Sequence, residues 1–104
     1  FFLGQALQKG EIDRGIAICG TGLGISMAAN KMEGIRAALC FNEYMAKMAR
    51  NHNDANILAL GARVIAEGLA SSIVDVFFRE EFEGGRHLAR IQSIDAIGKG
   101  EFEL

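Results

Sequence analysis

With 104 residues, half of them hydrophobic and none of them proline, the chain has the size and composition of one folded domain, or part of one, rather than a disordered segment. A net charge of −2 with no run of basic residues argues against nucleic acid as a partner, and no apolar stretch approaches the ~20 residues of a membrane span. Cys19 and Cys40 have neither the number nor the spacing of a disulfide framework or a zinc site, so reduced thiols in the cytoplasm are the expectation.

Gly15 to Ile18 predicts a short strand, apolar on both faces as a buried parallel strand is. Cys19 closes it, and a loop follows with glycine at every second position: Gly20, Gly22 and Gly24. From Ile25 the period turns helical, with Ile25, Ala28, Ala29 and Met32 on one face as far as about Lys31, and Gly34 in the place of a C-cap. Ile35 to Phe41 reads as a second strand. Asn42 is placed to cap a helix that carries Tyr44, Met45, Met48 and Ala49 and ends near Arg50. Asn56 to Leu60, followed by Gly61, predicts a third strand. Ala66 to Phe78 predicts a helix with Leu69, Ile73, Val76 and Phe77 inward. Beyond the Gly84-Gly85 break, Leu88, Ile91, Ile94 and Ile97 mark a last helix. Alternating elements of this kind predict an α/β fold, a Rossmann-like parallel sheet with helices on both faces.

Ligands of such sheets bind beyond the carboxyl ends of the strands, where Cys19, Asn42 and Gly61 fall. Alternate glycines let the backbone approach a ligand and aim several N–H groups at one spot, and a helix start adds partial positive charge. A cysteine on that rim is poised to lose its proton. The G-x-G-x-G spacing matches neither the dinucleotide fingerprint, whose third glycine is replaced by Ile25, nor the P-loop. Glu43 nevertheless lies at the distance of a ribose-binding acid, so a nucleotide site stays open beside a purely structural turn. Two further clusters are expected near the same edge. Arg50-Asn51-His52-Asn53-Asp54 is a polar knot in which His52 is either a surface residue or a proton shuttle. In Gly84-Gly85-Arg86-His87-Leu88-Ala89-Arg90, a helix starting near Arg86 sets Arg86 and Arg90 on one face, either as a solvated basic patch or as an anion clamp, with Arg63 as a third candidate.

The stretches from Ile18 to Lys31, Asn51-His52-Asn53-Asp54-Ala55-Asn56, Gly61-Ala62-Arg63 and Glu83-Gly84-Gly85-Arg86-His87-x-x-Arg90 resemble the ribose-5-phosphate isomerase B and LacA/LacB group. The resemblance runs in order along nearly the whole chain. It implies a cofactor-free and metal-free interconversion of aldose and ketose phosphates, with ribose 5-phosphate and ribulose 5-phosphate the leading pair. Galactose 6-phosphate, allose 6-phosphate, tetrose phosphates or a non-catalytic phosphosugar-binding role are the alternatives. It further implies Cys19 as the enolising base and Thr21 as a catalytic neighbour. Gly20, Gly22, Gly24 and Ser26 are then oxyanion and substrate contacts, and His52 is the acid/base of ring opening with Asn53 beside it. Arg63, Arg86 and Arg90 become the phosphate clamp. The assembly implied is a homodimer or homotetramer with shared sites, in which residues 84–104 form a C-terminal helix and tail packing on a partner subunit. One departure accompanies this. Nothing before Gly15 matches the strand and Asp-His pair with which the group opens, and Phe1 to Lys9 resembles the end of the helix preceding the Cys19 strand. The expectation is a single domain, 1–104, that lacks about the first third of the group's fold.

Overall fold

The computed structural model describes residues 1–101; residues 102–104 of the expected tail lie outside the described residues. The chain runs α1 (Phe2–Gln8), β1 (Gly15–Cys19), α2 (Leu23–Ala29), β2 (Ala37–Leu39), α3 (Glu43–Asn51), β3 (Ile57–Gly61), α4 (Glu67–Arg79), a 3-10 turn (Gly85–His87) and α5 (Leu88–Gly98). The three strands are parallel in the order β1-β3-β2, with Gly15 to Cys19 beside Ile57 to Gly61 and Ala37 to Leu39 beside Ile57 to Ala59. Central β3, Ile-Leu-Ala-Leu-Gly, is buried at every position, as a strand covered on both faces must be. On one face Ala17, Ile35 and Ile57 pack with Leu3 and Leu7 of α1 and with Ile25, Ala29 and Met32. On the other, Leu58 and Leu60 meet Ala46 and Ala49 of α3 and Ile73, Val76 and Phe77 of α4. The fold is therefore α/β with helices on both faces of a parallel sheet.

Several boundaries differ from expectation. β2 spans three residues, because the Arg36 N–H goes to Asn56 Oδ1 at 2.7 Å and the Phe41 N–H to Met45 Sδ at 3.4 Å rather than to the ladder. α2 starts at Leu23 and stops at Ala29, where the Asn30 side chain takes up the Ala37 N–H at 2.8 Å and donates to Ala37 O at 3.0 Å. Gly34, with φ +77°, serves the turn into β2 and not a helix cap. Asn42 does cap α3, its Oδ1 accepting from Met45 N–H at 2.9 Å, but Tyr44 is 70 % exposed. On α5, Ile91 is buried while Leu88, Ile94 and Ile97 are exposed, and Asp95 pairs with Arg36 at 2.9 Å.

Candidate active site

Cys19, the last residue of β1, lies in register with Gly61, the last of β3. Beyond the sheet the two strand ends are joined, Ala62 N–H donating to Cys19 O at 2.8 Å and Arg63 N–H to Gly20 O at 2.9 Å. A Cβ on Gly61 would lie 2.5 Å from Thr21 O, so glycine is required for this approach. Gly22, at φ +82°, turns the chain into α2 and brings its own N–H to 3.1 Å from Cys19 Sγ. The amide of Ile25, then that of Gly22 and more weakly that of Thr21, favour the thiolate and pull the Cys19 thiol below its ordinary value, against a cost of leaving water. Ile25 is the third residue of α2, where a helix leaves its amides without internal partners. α2 has only seven residues, so individual amides rather than a long helix dipole hold the sulfur.

The rest of the loop divides. Thr21 Oγ1 accepts from Leu23 N–H at 3.3 Å. Ser26 donates its hydroxyl to Leu23 O at 2.8 Å and its amide to Gly22 O at 3.1 Å. The N–H and O–H donors of Ser26 are thus both engaged within α2. Gly24 is exposed with open space beside it, and the Arg63 side chain lies across Gly20, its Cδ 3.4 Å from where a Cβ would stand.

His52, Asn53, Arg86 and Arg90 lie elsewhere. Because β2 and β3 are parallel, α3 must carry the chain back from the carboxyl edge to the amino edge of the sheet, so His52 and Asn53 fall beside the start of β3. There Gly15 N–H donates to Asn56 O at 2.9 Å. α4 returns the chain in the same way, and Arg14 holds its end by donating to Phe77 O, Phe78 O and Glu80 O. The sequence reading set both clusters at the edge of Cys19; the structure sets them at the opposite one. Four steps of ~3.3 Å along β3 separate the two edges by about 13 Å.

At the amino edge the His52 ring stacks on His87, centroids 4.2 Å apart and planes within 16°. Glu83 Oε1 lies 3.6 Å from His52 Nε2 and 3.9 Å from His87 Nε2. His87 is 7 % exposed, and its Nδ1 is buried without a partner. Burial first, then the neighbouring His52, Arg86 and Arg90, hold the His87 pKa below its ordinary value, with Glu83 opposing. Arg86 and Arg90 are both exposed; Arg86 falls in the 3-10 turn, because the α-helix starts at Leu88 rather than at Arg86. Within the polar knot, Arg50 and Asn51 are structural. Buried Arg50 donates to Asp54 Oδ1 at 2.9 Å and to Ala55 O at 2.7 Å, and Asn51 Nδ2 to Glu81 O at 2.7 Å. Asn53 is half-buried and lines a cavity of about 450 Å³ with Ala38, Ile94 and Ile97. Sequence reasoning gave Glu83 and His87 no role of their own. The signal was their four-residue spacing within the glycine-arginine motif.

Chemically, the carboxyl edge offers a thiolate-favouring cysteine flanked by Arg63, and the amino edge offers an imidazole pair on a carboxylate flanked by Arg86 and Arg90. The ligand atoms of His52, Glu83 and His87 lie within 4.8 Å of one another, close enough to consider a metal ion. The His87 Nδ1 is buried out of reach, and the charges of Arg86 and Arg90 beside the cluster add repulsion for a cation. Proton exchange and anion binding fit this cluster better than metal ligation.

Comparison with known proteins agrees along most of the chain. Residues 2–94 match the family described as Ribose/Galactose Isomerase. A ribose-5-phosphate isomerase B of Escherichia coli (strain K12) is 53% identical over 92 residues, 88% of this chain and 62% of that protein. A D-erythrulose-4-phosphate isomerase of Pectobacterium atrosepticum is 45% identical over 94 residues, 90% of this chain and 62% of that protein. The solved structure of a Clostridium thermocellum ribose-5-phosphate isomerase B is 58% identical and superposes with a TM-score of 0.93, covering 97% of this chain and 68% of that one. The chain thus spans a little under two thirds of the length of the curated relatives it matches. On the matched span and the shared fold, the chain belongs to the Ribose/Galactose Isomerase family.

Proposed function

We propose that the protein carrying this chain is a cytoplasmic aldose–ketose isomerase of phosphorylated sugars, interconverting ribose 5-phosphate and ribulose 5-phosphate at a site shared between two copies of the chain. The observation that carries the proposal is the Cys19 sulfur held by the amides of Ile25 and Gly22 in a chain of this family. The Cys19 thiolate takes the C2 proton, and the C–H electron pair becomes the C1–C2 double bond as the carbonyl oxygen gains negative charge. The Cys19 thiol returns the proton to C1 while the proton on O2 passes to O1, which leaves the ketose with its carbonyl at C2. Loop amides not engaged by the sulfur face the developing oxyanion, an effect worth ~3–4 kcal/mol per donor. His52 opens the cyclic sugar, since only the open form has a carbonyl to enolise. Asn53 and Thr21 contact the substrate, and Arg63, Arg86 and Arg90 orient the phosphate. The atom balance needs neither an oxidant nor a metal.

The separation of Cys19 from His52 at opposite sheet edges supports the shared site, because one copy does not bring both to one substrate. A homodimer, or a tetramer built of such dimers, brings the two edges together. A tetrose phosphate is the second substrate reading, favoured by the 45% identity to a D-erythrulose-4-phosphate isomerase. The test is isomerisation of a panel of sugar phosphates by the intact protein and by its Cys19→Ala and Cys19→Ser variants. Turnover of one phosphate that disappears in Cys19→Ala is expected. Near-normal turnover by Cys19→Ala rejects the mechanism.

A further inference from the structure

We propose that Glu83 and His87 are positioning residues for His52: the stacked His87 ring fixes the plane of the His52 imidazole, and the Glu83 carboxylate fixes which of its nitrogens carries the hydrogen. The proposal rests on reading His52 as the acid/base of ring opening.

The end of α3 and the strap after α4 are clamped to each other on both sides of His52. Asn51 Nδ2 donates to Glu81 O at 2.7 Å, and the Glu83 N–H donates back to Asn51 O at 3.0 Å. Glu83 is thereby held next to the His52 backbone by main-chain geometry, not by a free side chain. Gly84 and Gly85, at φ +70° and +55°, then turn the chain beneath the ring, with His87 N–H on Gly84 O at 3.1 Å. This delivers the His87 ring flat against His52. His87 is buried, whereas His52 is half-buried.

The hydrogen positions follow from the surroundings. A proton on His87 Nδ1 would be a buried donor with no acceptor, so the neutral ring carries its hydrogen on Nε2, facing Glu83. The charged groups facing His87 are Glu83, Arg86, Arg90 and His52 itself. A second proton on His87 adds a cation among two arginines in a site withdrawn from water, so His87 stays neutral near neutral pH and serves as a fixed flat surface. Glu83 also faces the Nε2 edge of His52. An Nε2–H on His52 is favoured by the field of a carboxylate oxygen 3.6 Å away, which leaves Nδ1 as the atom that exchanges a proton with the sugar. A carboxylate that selects an imidazole tautomer in this way is a recurring device of sites that use histidine.

The experiment combines kinetics with nitrogen-detected NMR of the imidazole rings in the intact protein. His87→Ala is expected to lower kcat on a cyclising pentose phosphate by about tenfold with little change in KM, as loss of an oriented proton donor does. It should spare a tetrose phosphate, which cannot cyclise. His87→Phe, which keeps a flat ring and removes both nitrogens, should restore most of the loss. In NMR, His52 is expected in the Nε2–H form, and Glu83→Ala should convert it to a mixture of tautomers. Equal losses on both substrates, failure of His87→Phe to rescue, or an unchanged His52 tautomer in Glu83→Ala each overturn the proposal. If the tautomer responds as expected but no sugar phosphate is turned over by the unmodified protein, the positioning stands and the isomerase reading falls.

Discussion

Two inactive variants should repair each other if one copy supplies the Cys19 loop and another supplies His52, Arg86 and Arg90. The basis is the distance of about 13 Å between the sheet edges, spanned by the four steps of β3. Cys19→Ala removes the proposed base from the carboxyl edge, and Arg86→Ala removes a proposed phosphate ligand from the amino edge. In an equal mixture, unfolded and reassembled at random, half the dimers are mixed. Each mixed dimer holds one site with both defects and one site with neither, so the mixture should reach roughly a quarter of the activity of the unmodified protein. The assay is isomerisation by the reassembled mixture, with mixed dimers counted by native mass spectrometry on chains of different mass. Activity that stays at the level of the two parents, with mixed dimers present at half the total, refutes the shared site. It would mean that some rearrangement lets each copy complete its own.

Three further outcomes follow from the geometry. His52→Asn should slow a cyclising pentose phosphate far more than a tetrose phosphate, and equal losses would remove His52 from ring opening. Alkylation of Cys19 should persist to a lower pH than that of an ordinary thiol of pKa ~8.5, because loop amides favour its thiolate, whereas Cys40, pushed up to about 11 by burial, should stay unreacted. Mass mapping of the label against pH decides this, and a Cys19 midpoint at or above the ordinary value counts against the amides. Gly61→Ala should destabilise the fold by about 1–3 kcal/mol, since its Cβ has only the backbone of Thr21 to push against. Thermal unfolding reads that loss, and slower Cys19 alkylation should accompany it as the loop is displaced.

Much of the fold was legible because the apolar periods are strong and locally consistent. Ile73, Val76 and Phe77 announce the buried face of α4, and Asn42 announces the start of α3 through a cap whose chemistry is local. The β2 boundaries were not legible, because Ile35 and Phe41 are apolar yet their neighbourhood's amides are claimed by Asn56, Met32 and Met45. Those partners are distant or unexpected, and periodicity says nothing about them. Cys19 was legible as chemistry because its surroundings are adjacent in sequence. The pairing of His52 with His87 was not, because it joins the end of α3 to a strap thirty-five residues later.

The edge on which His52 lies was nevertheless deducible from chain order alone. In an alternating parallel fold, a loop that follows a strand sits at the carboxyl edge and a loop that follows a helix sits at the amino edge. Cys19 ends β1 at its carboxyl edge, whereas His52 follows α3 and Arg86 follows α4. Reading both polar clusters as ligand-edge loops ignored that alternation. The consequence reaches beyond one misplaced loop. A chain with complementary half-sites on opposite edges completes two sites at once only when the pairing is closed by a two-fold axis, so that each carboxyl edge meets the other copy's amino edge. A head-to-tail pair of two copies would instead leave one half-site unused on each. Under the shared-site reading, the position of His52 in chain order is therefore itself an argument for a two-fold symmetric pair, made before any interface is seen.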